Sequence, residues 1–411
     1  MRELLSVRVF HRLAAAFVLA ELIEWFALIT LAVVVYDQTS DALATTALFA
    51  STKLIPSLVV PVLAARTDRW ATTRGIGALF AFEAVVFAGL AGVILQFSLL
   101  LICVLALVDG CVAALIRAYT RAAVATTMEP RGLLREANAA LNFGFALMNI
   151  VGPATAGLAV GLLDPSVVML IGAGLLVVAA IFVGSDTTRV TVTGDEAGWM
   201  RRVREAVAYL RRQPVTLLLI LGEGLVMMFG TLVAPIEVVY AKESLDAGPE
   251  AYAALAAAWG AGITVGSLVF ARVGRRHLAV SLVASTAVMG AGITIMAGAP
   301  TLLVACAAAM LGGTGNGVQW VSAVTALQES VSAAMQVRVA GFFEAVVTLV
   351  PGIGYLLGGA ITQATSPRVA FLVAGLGILA AALAGAGAFL VHRRAPGRLV
   401  TTPRRVVPDE T

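Results

Sequence analysis

Residues 19–36 read LAELIEWFALITLAVVVY, and residues 221–240 read LGEGLVMMFGTLVAPIEVVY. Each run is apolar over nearly the whole length that a membrane-spanning helix needs, which is about 20 residues for roughly 30 Å of hydrocarbon. Both begin with Leu-x-Glu and end with Val-Val-Tyr, so Glu21 and Glu223 occupy matching positions. The repetition predicts a membrane protein that is built from two related halves.

Composition places the rest of the chain in a membrane as well. Of the 411 residues, 60% are hydrophobic and 13% are charged, and the mean hydropathy is +0.96. A soluble core of this size could not bury so much apolar surface. An α-helix satisfies its own backbone hydrogen bonds in a bilayer, so we predict an all-α membrane protein. Apolar runs predict twelve transmembrane helices, called spans 1 to 12, at residues 13–36, 42–65, 75–96, 98–119, 138–163, 165–184, 215–240, 250–271, 278–298, 301–325, 338–363 and 368–391.

The predicted spans form two six-helix bundles joined by a polar segment. The assignment is residues 1–185 for the first bundle, 186–214 for a cytoplasmic linker, 215–391 for the second bundle and 392–411 for a cytoplasmic tail. Residues 199–212 (WMRRVREAVAYLRR) place apolar side chains at helical spacing, which predicts an amphipathic helix on the membrane surface. Two roles are open for that helix, a tether on anionic lipid and a regulatory docking site.

Basic residues predict the orientation, because Lys and Arg in short loops stay on the cytoplasmic side. Of 28 such residues, all but Lys53, Lys242 and Arg368 fall on one side of the predicted spans. We therefore predict a multi-pass protein of the cell (inner or plasma) membrane with both termini cytoplasmic. The charged first twelve residues lead into a full span without a cleavage site, so we expect no removable signal peptide.

Motifs for other chemistry do not appear in the sequence. It lacks a G-x-x-x-x-G-K-[ST] loop, which argues against direct use of ATP. Cys103, Cys111 and Cys306 lie within spans without metal-ligand spacing. The basic residues are spread over many loops, which argues for lipid and against nucleic acid as a partner. We predict no enzyme, no metal and no cofactor, and we expect a monomer.

Charged residues within the spans are the candidate coupling site, because each is costly in hydrocarbon unless it faces a bundle interior or water. Asp109, near the middle of span 4, is the first candidate for carrying a proton, since a carboxyl group held away from water binds one more readily. For every acid the alternative is a fixed ion pair without a part in coupling, and Lys53 is expected to pair with one of them. The candidates are Asp109, Glu21, Glu24, Glu223, Glu344 and Lys53, with Arg117 near the cytoplasmic end of span 4 and Glu83 assigned to a polar contact with a neighbouring helix.

Aromatic and amide side chains of the spans are candidates for contact with a substrate, with plain packing as the alternative. These are Trp25, Asn142, Asn149, Asn316, Gln319 and Trp320.

Span 5 carries a Gly-Pro step in VGPATAGLAVG at residues 151–161. Proline removes one backbone donor, which predicts a break or kink in mid-membrane, and small residues four apart allow close helix approach. Span 11 has a related run, PGIGYLLGG at residues 351–359. We predict that these positions take part in gating, and small-residue packing is the alternative. The candidates are Gly152, Pro153, Gly157, Pro351, Gly354 and Gly358.

Together these features resemble the major facilitator superfamily. Residues 10–56, LLREAN at 133–138, EAVAYLRRQP at 205–214 and residues 312–341 resemble its efflux branch, which includes enterobactin exporters and macrolide or multidrug pumps. The loop AARTDRWATTR at residues 64–74 resembles the superfamily signature, with alanine at both glycine positions. The resemblance implies the major facilitator fold, in which spans 1, 4, 7 and 10 line a central cavity that the candidate charges other than Glu83 can reach. It also implies that Asp68, Arg69 and Arg74 latch the cytoplasmic gate, and that the Gly-Pro step is an antiporter motif.

The function expected from these features is proton-coupled export of a small organic molecule, such as a drug, a macrolide or a siderophore-like compound, by alternating access. One alternative is proton-coupled import of a small metabolite. Another is a transporter-like receptor without vectorial flux, against which the intramembrane acids argue.

Overall fold

The computed structural model describes residues 7–66, 72–185, 204, 207–273, 278–332 and 335–394. Over these residues it contains twelve helices that are long and apolar enough to cross a membrane, and the predicted all-α fold is confirmed. In chain order the spans are Arg8–Thr39; Ala42–Phe49 with Ala50–Leu54 and Ile55–Arg66; Thr73–Leu95; Leu99–Met128; Leu134–Leu162; Pro165–Gly184; Pro214–Thr231 with Ala234–Ile236, Glu237–Val239 and Tyr240–Ser244; Pro249–Val273; Leu278–Gly298; Leu302–Ser330; Gln336–Ala364; and Pro367–Arg394.

Short polar junctions separate the most closely spaced helices. Between spans 5 and 6, the carboxylate of Asp164 accepts hydrogen bonds from the backbone N–H of Ser166 at 2.9 Å and from its hydroxyl at 2.6 Å. These bonds to the ionised form lower the pKa of Asp164, and Pro165 in the first turn starts the next helix. A two-residue junction is therefore sufficient to reverse the chain.

Span 4 is longer than the sequence predicts. Its helix continues to Met128 instead of ending near residue 119, and a further turn follows at Glu129–Arg131. Gly132, with φ of 68°, ends the turn in the left-handed region, and its N–H bonds to the carbonyl of Glu129 at 3.0 Å. As a result Arg117 lies within the helix and not near its end.

The predicted break at Gly152-Pro153 is wrong, because span 5 is one helix from Leu134 to Leu162. The carbonyl of Asn149 loses its usual partner four residues on, where proline has no N–H. That oxygen lies against Gly260 of span 8, a position where a Cβ atom would collide with it. Close contact with another helix thus compensates for the missing hydrogen bond.

Span 7 is the span that breaks. Its first helix ends at Thr231, and the chain passes through the short segment Ala234–Ile236, which contains Pro235, before Glu237–Val239 resumes the helix. The span predicted for residues 215–240 is confirmed, and the helix within it is interrupted in its outer part. Discontinuous helices of this kind are a recurring feature of transporter binding sites.

The two bundles meet across a seam on the side opposite the termini, called here the far side. In the seam Tyr36 donates a hydrogen bond to Glu243, and Lys242 pairs with Asp37. These four residues lie at the far ends of spans 1 and 7, so the two first helices of the bundles are linked there.

Glycines extend the seam along two helix pairs. Gly157 of span 5 lies against Ala253 of span 8, and Gly359 and Gly352 of span 11 lie against Thr46 and Leu54 of span 2. The close approach of these backbones runs from the far side to mid-membrane.

On the side of the termini, the second bundle packs on itself. Leu210, Ile220, Leu327, Val339 and Phe343 form an apolar cluster that is separate from the main core and contains residues of this bundle only. The described contacts between the bundles therefore concentrate on the far side, and the described helices leave an opening between the bundles towards the side of the termini. Leu210 comes from the predicted surface helix, of which residues 207–210 are described as helical.

Candidate functional site

A charged cluster lies inside the first bundle, where spans 1, 2 and 4 meet. The carboxylate of Glu24 forms salt bridges with the ammonium group of Lys53 and the guanidinium group of Arg117. The three side chains are 21%, 34% and 29% exposed, so they border an opening and are not sealed in a dry core. One carboxylate here pairs with two cations, so these three side chains together carry a net positive charge.

The position of Lys53 follows from a π-helical turn, Ala50–Leu54, in span 2. Pro56 has no N–H for the carbonyl of Thr52, and the helix widens just before the proline. The carbonyl of Thr52 lies against Gly110 of span 4, where a Cβ atom would collide with it. The same combination of proline and facing glycine that joins spans 5 and 8 thus brings span 4 close to Lys53.

Asp109 does not stand alone, because its carboxyl group lies within hydrogen-bonding reach of that of Glu83 in span 3. Both side chains are buried, with 6% and 5% exposure. One proton shared between two such groups relieves their repulsion. One oxygen of each, Oδ1 of Asp109 and Oε2 of Glu83, has no hydrogen-bond partner among the described residues. The contact to a neighbouring helix that the sequence assigns to Glu83 is therefore with the first coupling candidate itself.

A small cavity connects the carboxyl pair with the charged cluster. It has a volume of about 10 Å³, and its lining includes Asp109, Glu24 and Lys53. That volume is close to the minimum for one water molecule, and the polar lining suits one. Asp109 and Glu24 therefore border the same polar space, which one water molecule would fill.

Glu21 and Glu223 occupy matching positions in spans 1 and 7, and both are buried. Their surroundings differ. Glu223 accepts a hydrogen bond from the amide of Gln319, whereas Glu21 lies near the charges of Glu24, Arg117 and Lys53. Each acid has its Oε1 unpartnered among the described residues. Repeated sequence has thus placed equivalent acids in a charged environment in one half and a neutral one in the other.

A larger cavity of about 270 Å³ lies beside the seam, mostly within the second bundle. The side chains in its lining that carry a polar atom other than sulfur are Trp25, Asn149, Thr231, Glu237, Tyr252, Trp259 and Asn316. Most of the remaining lining is aliphatic, aromatic or methionine side chains. Five of the spans in its wall, spans 7, 8, 9, 10 and 12, belong to the second bundle, and the break in span 7 forms part of that wall.

Two indole rings in the cavity wall are held in place by glycines. Gly152 leaves the space that the ring of Trp25 occupies, and Gly312 of span 10 leaves the space for the ring of Trp259. A Cβ atom on either glycine would overlap the indole that it faces. The Gly-Pro step therefore positions a cavity residue in addition to packing span 5.

The predicted substrate contacts divide between the cavity and the opening towards the termini. Trp25, Asn149 and Asn316 line the cavity. Asn142 lies two helical turns from Asn149 on the same face of span 5 and is exposed. Trp320 follows Asn316 by one turn and is 38% exposed. Gln319 is buried and already bonded to Glu223.

Glu344 does not reach the cavity. It lies three turns from Tyr355 on one face of span 11, and Tyr355 contacts Phe49 of the first bundle with ring centroids 5.9 Å apart. Glu344 is exposed, so it lies in the opening between the bundles and apart from the buried acids Asp109, Glu83, Glu21 and Glu223.

The gating candidates fall into three sets. Gly157 lies in the seam between bundles. Pro351, Gly354 and Gly358 pack within the second bundle, where the hydroxyl of Thr231 donates to the carbonyl of Pro351 at 3.2 Å. Asp68 and Arg69 lie outside the described residues, and Arg74 is exposed in the first turn of span 3.

Glu237 and Trp259 are cavity residues that the sequence does not single out. The signal for Glu237 is present, because it is a charged residue inside a predicted span, three residues before that span ends. Trp259 has no comparable signal, because tryptophan in a membrane helix serves packing as often as binding. Among the described residues no group of His, Cys, Asp and Glu could hold a metal ion.

Comparison with known proteins identifies the fold. Residues 219–409 match the sequence profile of the Major Facilitator Superfamily. No curated protein matches the sequence. Crystal structures of a mutant of the nucleoside transporter NupG and of a bacterial homolog of the human lysosomal transporter Spinster superpose on it with TM-scores of 0.73 and 0.70.

The superpositions cover nearly the whole chain at low sequence identity. The NupG mutant is 14% identical over 93% of this chain and 100% of its own. The Spinster homolog, captured in an inward-facing and occupied conformation, is 12% identical over 94% of this chain and 96% of its own. The peptide-transporter-family protein PepTSo is also similar, with a TM-score of 0.66 and 12% identity over 93% of this chain and 98% of its own. The twelve helices therefore have the major facilitator fold.

Proposed function

We propose that this protein is a secondary active transporter, and specifically a proton-coupled exporter of a small organic molecule that works by alternating access. The superfamily profile in the second half and the fold of the whole chain favour a transporter over an enzyme. The excess of basic residues in the loops on the side of the termini supports a cytoplasmic position for that side. In that orientation the conformation described above is open inwards and closed outwards. We further propose that the protein acts in the cell membrane and as a monomer.

The observation that carries the proposal is the buried carboxyl pair of Asp109 and Glu83 beside the charged cluster. Two buried carboxyl groups in contact hold one proton readily and lose it when a cation or water reaches them. The small cavity borders both Asp109 and Glu24, and Glu24 already forms salt bridges with two cations. A change in the separation of spans 1, 2 and 4 would therefore change which group holds the proton.

The proton site and the substrate cavity are distinct but adjacent. Leu28 of span 1 lines both cavities, and Trp25, next to Glu24, lines the larger one. Rocking of span 1 against the second bundle would move the substrate contact and the ion pair together. This shared helix is the element through which protonation and substrate access are coupled in the proposal.

The direction of transport rests on the Gly-Pro step of span 5, which resembles the antiporter motif of exporters. Inward movement of one proton down a potential of 100 mV supplies about 2.3 kcal/mol. That energy sustains roughly a fiftyfold gradient of a neutral substrate. Coupled exchange of one proton for one molecule is therefore sufficient for useful export.

The test is proton flux in inside-out vesicles with a preformed acid-inside gradient. An exporter should dissipate this gradient when a substrate from a compound panel is added. Asp109→Asn and Glu83→Gln should each abolish uphill export while downhill substrate movement continues, since both remove a protonatable group and little volume. Glu129→Gln, an exposed acid in the turn after span 4, is the matched control and should export normally.

Two results would oppose the proposal. If Asp109→Asn still builds a substrate gradient that collapses with a protonophore, the coupling proton travels elsewhere. If right-side-out cells take up the substrate faster as the proton gradient rises, the protein is an importer.

A further inference from the structure

The larger cavity is lined by aromatic side chains and by one carboxyl group, that of Glu237. Glu237 is the only charged residue in its lining, and no hydrogen bond or ion pair of its carboxylate is found in the described part of the chain. Arg368, a cation on the far side, donates instead to the carbonyls of Ala297 at 3.0 Å and Ser244 at 2.8 Å. Lys242, the other far-side cation described above, pairs with Asp37. The cavity thus holds a carboxylate without a protein counter-ion.

The break in span 7 adds to this polarity. The helix Pro214–Thr231 ends at the cavity, and Gly230 and Thr231 are part of its wall. The carboxyl end of a helix carries a partial negative charge. A second, independent feature therefore favours positive charge at the same place.

The remaining lining selects for an aromatic or apolar body. Trp25 and Trp259 approach from opposite bundles, and tryptophan faces attract cations more strongly than other aromatic rings do. Met227, Met289 and Met296 supply adaptable apolar surface. The volume of about 270 Å³ is at the lower limit for drug-sized pockets, so the occupant is small.

We infer that the substrate is a small aromatic organic cation, with its charge at Glu237 and its ring between Trp25 and Trp259. This inference rests on the proposed function but concerns the binding step alone. Such a ligand supplies the counter-ion that Glu237 lacks and fills an apolar cavity without displacing the charged cluster of the first bundle.

The experiment measures equilibrium binding to the full-length protein in lipid nanodiscs, without any gradient. The probes are radiolabelled N-methyl-4-phenylpyridinium and 4-phenylpyridine, both used at pH 8. The second probe has the same two rings but carries no charge at this pH. The cation should bind more tightly than the neutral probe. Glu237→Gln should weaken binding of the cation by about tenfold or more and change binding of the neutral probe by less than about twofold, as loss of one charge contact requires.

A second variant separates binding from folding. Trp259→Leu should weaken both probes, because it removes ring contact and leaves the carboxylate, and Glu129→Gln should change neither. Equal binding of the cation by Glu237→Gln and the unchanged protein would overturn the inference, as would failure of the unchanged protein to bind the cation. Each variant should elute as a single species at the position of the unchanged protein.

Failure of the inference and failure of the proposed function give different results. Binding of the cation that depends on Glu237 but without proton-driven flux would reject coupled transport and keep the binding site. Proton-driven export of compounds that is unchanged in Glu237→Gln would contradict the inferred binding site and leave the proposed transport function standing.

Discussion

The ion pair between Glu24, Lys53 and Arg117 gives a sharp stability prediction. Glu24→Gln removes the carboxylate that, among the described residues, contacts both cations, and it leaves two like charges facing each other inside the bundle. Breaking a buried pair by removing one partner costs about 3–5 kcal/mol. Partial exposure of the three side chains screens the charges, so we expect about 2–3 kcal/mol here.

The loss should appear as a lower apparent Tm. For a bundle of fewer than 200 residues that unfolds as a unit, 1 kcal/mol corresponds to about 2–4 °C, so the expected decrease is about 4–12 °C. The assay is thermal unfolding in detergent. Samples are heated, and the amount of protein that still elutes intact is measured at each temperature. Glu129→Gln is the control, since it removes an exposed acid with the same change of side chain.

Charge balance within the cluster makes the prediction refutable. Lys53→Met leaves one carboxylate with one cation, so it should cost less than half as much as Glu24→Gln. Adding Lys53→Met to Glu24→Gln should recover part of the lost stability, because it removes one of the two unbalanced charges. A decrease of less than about 2 °C for Glu24→Gln, or equal decreases for the two single variants, would show that the pair contributes little.

Three further predictions concern gating and the cavity. Gly152→Ala should displace the ring of Trp25, so binding of N-methyl-4-phenylpyridinium should weaken by about tenfold and stability should fall by about 1–3 kcal/mol. Unchanged binding would contradict this. Asp37→Asn should loosen the far-side seam by about 0.5–1 kcal/mol, because the pair with Lys242 is partly exposed. Labelling of a cavity cysteine by an impermeant thiol reagent from outside should then rise severalfold. No rise would show that the pair of Asp37 and Lys242 does not hold the far-side seam closed. Asp68→Asn should release the cytoplasmic gate, slow transport and increase labelling from the cytoplasmic side while expression stays intact, and full transport with unchanged labelling would remove Asp68 from the mechanism.

Sequence reasoning located most of what depends on local chemistry. The twelve spans follow from apolar length, since a helix must span a fixed thickness of hydrocarbon. Glu21 and Glu223 stand out because charges within spans are costly. Lys53 was expected beside an acid for the same reason, and it lies beside Glu24. The separation of proton and substrate sites does not follow from these patterns.

Proline shows most clearly where local patterns stop being sufficient. Pro153 and Pro235 both remove one hydrogen bond from a predicted span, and the sequence marks each of them equally. Span 5 remains one helix, while span 7 ends at Thr231. In span 5 the freed carbonyl of Asn149 lies against Gly260 of the other bundle, and that contact belongs to the packing of two distant segments.

The sequence by itself determined the class of protein, the number of its helices and the presence of acids in the membrane, because each follows from a residue's own interaction with water or lipid. The tertiary structure decided which acids meet. Asp109 pairs with Glu83, Glu24 with two cations and Glu223 with an amide, while Glu237 keeps no protein partner among the described residues. The physical reason is that partnership depends on distances between helices, which are set by packing of glycines and prolines on facing surfaces and not by the sequence around each acid.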